Sequence, residues 1–135
     1  MNALLTAVYG KTSSSALSTA VNGRIYYDRA PDGCEFPYVV FSVISSVPDW
    51  MFTERFEDTL IQFDLFSLSE DSAEIANMYA DLKALFDDCS LTITSETLIW
   101  FRRQNLITTV EEITTSTGTQ KVKHWSADYE AKVQQ

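Results

Sequence analysis

The stretch KVKHWSADYEAKV, Lys121 to Val133, alternates strictly along most of its length. Trp125, Ala127, Tyr129, Ala131 and Val133 fall on one side of an extended backbone, and His124, Ser126, Asp128, Glu130 and Lys132 on the other. A strand of this kind belongs to a sheet with one covered and one polar face. Thr59 to Phe66 repeats the pattern, with Thr59, Ile61, Phe63 and Leu65 opposite Leu60, Gln62, Asp64 and Phe66. Thr97 to Val110 predicts the long partner of the 121–133 strand. Glu111 to Gln120 between them, rich in Thr and Ser, predicts a connection longer than a tight hairpin needs.

Upstream, Pro37 to Val47 is a β-branched and aromatic run that suits a strand buried on both faces, with Pro48 as its limit. Arg24 to Asp28 is a shorter β-rich piece, closed by the turn chemistry of Ala30-Pro31-Asp32-Gly33. Glu70 to Phe86 changes period: Ile75, Tyr79, Leu82 and Phe86 repeat at helical spacing, widened by Met78 and Leu85. Asp71 with Glu74 resembles a capping box. Asp87 and Asp88 stand at the negative end of that helix, against the dipole preference, and the sequence offers no account of them. Asn2 to Tyr9 and Ser14 to Val21 predict two short helices separated after Gly10, the second stopped at Asn22-Gly23. The expected fold class is α+β: a mainly antiparallel sheet with one long amphipathic helix and short N-terminal helices packed on it, as one domain over residues 1–135.

At 135 residues, with 45% apolar and 21% charged side chains, the chain has what one core requires. No apolar run approaches the roughly 20 residues that span a bilayer, and Met1 to Val8 lacks the features of a secretory leader, so no membrane role is expected. Cys34 and Cys89 are too few for a disulfide framework or a zinc site. The net charge of −9 argues against a protein that grips phosphate backbones. Its acids are concentrated: from Asp49 to Glu96 twelve face only Arg55 and Lys83, a local sum of −10.

Catalytic chemistry finds no foothold. His124, the single histidine, has no elbow serine or activated cysteine context and reads as a solvated or interface residue. The carboxylate pairs Glu57-Asp58, Glu70-Asp71, Asp87-Asp88 and Glu111-Glu112 lie at element ends or in loops. Phosphate cradles and calcium loops are missing, and no cofactor is expected. Arg102-Arg103 beside Trp100 and Phe101 is the one basic-aromatic cluster, but neighbours on a strand face opposite sides and form no joint patch. One of the two arginines is expected in a salt bridge or an interface. PDWMFTERF, Pro48 to Phe56, is the most unusual segment. Trp50, Met51 and Phe52 either cap the domain's own core or, with Arg55, form a protruding hairpin end that anchors a neighbouring subunit.

The string GRIYYDRAPDGCEFPYVVFSVISSVPDW, Gly23 to Trp50, resembles small tailed-bacteriophage tail completion proteins: a G-R-I-Y strand, an R-A-P turn, then P-Y-V-V-F. The Q-x-D of Gln62 and Asp64, the following helix and the closing strands match in outline. The resemblance implies a tail terminator, or tail-to-head joining protein. Its copies form a ring, usually of six, that stops tail-tube growth and meets the tail tube protein and the head-tail connector or stopper. It further implies no enzymatic activity, no cofactor, and a place in the virion tail after assembly in the host cytoplasm. DNA would pass through without specific binding, with Glu57, Asp58 and Asp64 lining the channel. Partner docking would fall to the Thr-rich connection, at Thr114, Thr115, Thr117 and Thr119. The rival readings are a head-side stopper and, from another class, a small-molecule binding domain or carboxylate enzyme.

Overall fold

A computed structural model describes residues 1–115 and 118–135. The chain runs α1 (Asn2–Thr12), α2 (Ala16–Ala20), β1 (Ile25–Tyr27), β2 (Tyr38–Trp50), β3 (Arg55–Ser67), α3 (Ala73–Phe86), β4 (Thr92–Ile93), β5 (Glu96–Thr115) and β6 (Gly118–Gln134). The strands form one six-stranded sheet in the order β1-β2-β3-β6-β5-β4.

This corrects the expected fold class. The sheet is mixed, because β1 pairs with β2 in parallel while every other neighbour is antiparallel. It also dominates the molecule: β5 has 20 residues and β6 has 17, whereas the longest helix, α3, has 14. At 1.5 Å per residue α3 spans roughly 21 Å, against roughly 65 Å for β5, so it is no long helix on which a fold rests. The direction in which a three-residue strand pairs is set by where the following loop delivers the chain, which alternation does not encode.

The apolar positions of the strands nevertheless share one face. Val39 and Phe41 of β2, Ile61, Phe63 and Leu65 of β3, and Ala127, Tyr129, Ala131 and Val133 of β6 join one buried cluster with Leu4, Val8, Leu17 and Val21 of the N-terminal helices. Ile75, Met78, Tyr79, Leu82 and Phe86 of α3 complete it. Phe63 is the hub, with its ring 4.8 Å from Phe86, 5.6 Å from Tyr129 and 5.9 Å from Phe41.

Boundaries differ from expectation where a local signal was overruled. Helix α1 continues through Gly10 to Thr12, whose hydroxyl donates to the Tyr9 carbonyl. Strand β2 runs through Pro48 to Trp50; its outer side there has no strand neighbour, so a residue without an N–H is tolerated. The capping box does not close, since Asp71 accepts from the Ala73 N–H while Glu74 accepts from Ser67. The largest difference is at Glu111 to Gln120. Instead of a loose connection, β5 and β6 keep pairing through Thr114 with Thr119 and Thr115 with Gly118. Thr is a good strand residue without needing a core, so a two-stranded ribbon continues past the last β3 pair, Ser67 with Lys123.

Candidate functional site

The turn between β2 and β3 carries the two most exposed large apolar side chains of the described residues, Trp50 and Phe52, with Met51 between them. Trp50 is 64% exposed, Met51 59% and Phe52 fully so. The register brings Trp50 opposite Arg55, whose guanidinium lies 4.9 Å over the indole ring. The Met51 N–H donates to the Glu54 carbonyl at 3.0 Å, and the Gln135 N–H donates to the Arg55 carbonyl at 2.9 Å, tying the turn to the end of β6. These three side chains do not cap the chain's own core. They lie at its far edge with their apolar surface in water.

The sheet face away from the helices carries the polar positions. Asp58 pairs in register with Lys132, Gln62 with Asp128, Asp64 with Ser126 and Phe66 with His124. Of the three acids expected to act together, Asp58 and Asp64 share this open face. Glu57, one residue from Asp58 on a strand, points to the other side, where it accepts from Ser46 and from the Gln135 amide. Nor are the open-face acids bare. Lys132 Nζ lies 2.8 Å from Asp49 and 3.5 Å from Asp58 Oδ1, the latter an ionic contact beyond hydrogen-bond strength.

Asp64 is held by two partners: Ser126 Oγ donates to it at 2.6 Å and His124 Nε2 lies 2.8 Å away. His124 Nδ1 lies 2.7 Å from Glu111, and its ring stacks on Phe66 at 4.4 Å. The hydrogen bond to Asp64 pushes the imidazole above its ordinary range, and the one to Glu111 adds to this against the opposing effect of burial. Ser, His and Asp thus meet, but not as a catalytic relay. A relay puts serine and carboxylate on different ring nitrogens, as Ser126 and Glu111 are here, but Nε2 also faces Asp64, to which the Ser126 hydroxyl already donates. With a carboxylate at each nitrogen the ring favours its protonated form, which accepts no proton.

On the helix side, a second network answers what the sequence left open. The Arg103 guanidinium bonds Asp87 from Nε and, at 3.1 Å, from a terminal nitrogen, and its other terminal nitrogen donates to the Tyr79 hydroxyl at 2.9 Å. Tyr129 donates to Asp87 at 2.5 Å. Burial opposes ionisation of Asp87, but the bonds from Arg103 and Tyr129 prevail and lower its pKa. The acid at the helix end is therefore a ligand for a strand arginine. Arg102 points the other way, its guanidinium 4.4 Å over Trp100. Sequence reading missed this pairing; an acid against the helix dipole was the available signal that a cation lay nearby.

At the ribbon's base, Lys123 donates to the carbonyls of Ser69, Glu70 and Asp71, which fixes the ribbon to the segment before α3. Thr114 and Thr119 are exposed and cross-paired on the ribbon, and Thr115 pairs with Gly118; Thr117 lies outside the described residues. Cys34 and Cys89 are free thiols. Among the described residues there is no cluster of three or more potential metal ligands, and no helix is long and apolar enough to cross a membrane.

A one-sided sheet with apolar side chains displayed at its end is a class of surface suited to assembly. The chain belongs to the family of the tail completion protein gp17, whose family model matches residues 6–134. Its place is accordingly the virion tail of a bacteriophage. The fold is similar to that of a chain in a solved structure described as the virion of a native gene transfer agent particle. The two are 15% identical, with a TM-score of 0.77 over 98% of this chain and 95% of that one. A second solved structure, 14% identical, matches 96% of this chain and 94% of its own with a TM-score of 0.54. No curated protein matches the chain.

Proposed function

We propose that this chain is a tail terminator: copies form a ring, six in number, at the head-proximal end of the tail tube, end tube growth and join tail to head. The observation that carries the reading is the exposed Trp50-Met51-Phe52 hairpin end. Within a family of tail completion proteins, three large apolar side chains in water are a surface awaiting a partner. Arg55, seated on Trp50, belongs to the same contact. The tail tube protein and the head-tail connector or stopper are the further partners, met through the ribbon that bears Thr114, Thr115 and Thr119.

In this reading the open sheet face looks into the bore. Asp49, Asp58, Asp64, Glu111, Asp128 and Glu130 outnumber Lys132 and Arg102 on it, so DNA phosphates are repelled and the genome slides through without specific binding. Asp58 and Asp64 are the expected lining acids that carry this idea, with Glu57 on the opposite side of the strand. Native mass spectrometry of the purified protein, alone and with tail tube protein, tests the proposal. A six-fold species is expected, and a protein that stays monomeric in both samples overturns it.

A further inference from the structure

Each outer strand of the sheet is short and leaves most of its neighbour uncovered. β1 pairs only with Val39 to Phe41 of β2, and β4 only with Glu96 and Thr97 of β5. Beyond these, the outer sides of β2 up to Trp50 and of β5 up to Thr115 have no strand neighbour among the described residues; the Phe101 carbonyl, bonded by the Asp88 N–H, is an exception within β5. Long uncovered edges are templates for pairing, and soluble chains ordinarily guard them with charge or brevity. Here Pro48 on β2 and Arg102, Arg103, Glu111 and Glu112 on β5 supply some guard, yet both edges also carry exposed β-branched residues: Ile44 and Val47 on β2, Ile107 and Val110 on β5.

Resting on the proposed self-assembly, we infer that the uncovered edge of β2 in one copy pairs with that of β5 in the next, in antiparallel register with Val47 opposite Ile107. Three features select this arrangement. Direction comes first: along β2-β3-β6-β5 every step is antiparallel, so β5 runs opposite to β2. Copies related by rotation about an axis along the sheet therefore meet antiparallel without inversion, as a closed head-to-tail ring requires. Spacing is the second, since Ile44 precedes Val47 by the same interval as Ile107 precedes Val110. One antiparallel register sets Val47 against Ile107 and brings Ile44, where β2 bulges, up to Val110. Facing is the third: Val47, opposite Asp58, and Ile107, opposite Ser126, both emerge on the open face. The same register lays Asp49 against Asn105 and ends at Ser42 against Glu112, short of the β2 residues that β1 covers, so no like charges are opposed.

The test is cross-linking in the full chain with Cys34 and Cys89 replaced by Ser. The pair Val47→Cys and Ile107→Cys, oxidised with oxidised glutathione, is expected to give a ladder of covalent multimers on a non-reducing gel. Each single variant, and Val47→Cys with Ile113→Cys, is expected to give none. Because Ile107 is exposed, Ile107→Lys should leave the melting curve of the monomer unchanged while raising the dissociation constant of the assembly about tenfold or more. Assemblies that form normally yet give no ladder from the Val47 and Ile107 pair overturn the register alone. A protein monomeric under all conditions overturns the assembly reading beneath it.

Discussion

The two faces of the sheet are built from the same strands, one residue out of step, and they behave as different materials. On the helix side Phe63, Phe86, Phe101 and Tyr129 form a dry aromatic stack with Ile61, Leu65 and Val133 around it. On the open side Asp64, His124, Ser126, Asp58 and Lys132 form a half-buried lattice of ion pairs and hydrogen bonds. Burial of apolar area holds the first face to the helices. The second gains little stability from its charges, because solvent screens them, and so stays available for contact with other molecules.

The contrast is broken most severely from the dry side. Phe63→Ala removes the hub ring and leaves a cavity among Phe41, Phe86 and Tyr129, so a loss of about 3–5 kcal/mol is expected in urea or thermal unfolding. A loss below about 1 kcal/mol would mean the stack does not hold the sheet to α3.

Asp87→Ala comes next. It strips the Tyr129 hydroxyl and the Arg103 guanidinium of their shared acceptor, and about 1–3 kcal/mol should be lost. The wild-type contribution also has a sign in pH. Because folding lowers the Asp87 pKa, its stabilisation is present above the unfolded value of about 3.9 and disappears as pH falls through the lower folded value. In the variant that acid limb should flatten.

The open face should respond in the opposite direction. Folding raises the His124 pKa, so its stabilisation is complete below about pH 6.5, the ordinary histidine value, and is lost as pH rises through the higher folded value. His124→Gln should remove that downward slope in melting temperature. A slope that survives the substitution would assign it to another group.

The smallest effect on the fold is expected at the hairpin end. Trp50→Ala should change monomer stability by no more than about 0.5 kcal/mol, since the ring is mostly in water. The same change should weaken assembly by about 2 kcal/mol or more per contact, the range of an interface anchor, read as a shift in the concentration at which the oligomer dissociates. Unfolding of the variant would show that the indole and Arg55 brace the hairpin instead.

Much of this was legible because alternation is a local property. Residues 59–66 and 124–133 announce both faces of their strands, and 75–86 announces the stripe of α3, from spacing alone. The exposed end at Trp50-Met51-Phe52 was visible as an apolar triplet between two strands. The ribbon at 111–115 was not, since a threonine-rich segment without a core face looks like a loop until a partner strand is known. The Asp87 to Arg103 pairing joins residues on different elements, which no local pattern encodes.

The sequence by itself determined which side chains of the long strands share a face, and that the acids cluster from Asp49 to Glu96. Tertiary structure decided which of those acids are free to act: register across β3 and β6 put Lys132 beside Asp58 and His124 beside Asp64, and strand parity sent Glu57 to the other side. It also decided that β1 runs parallel and that the edges of β2 and β5 stay uncovered. The reason is physical: hydrophobic period is written residue by residue along one strand, whereas pairing depends on the relative free energies of whole strands brought together, which only the folded chain expresses.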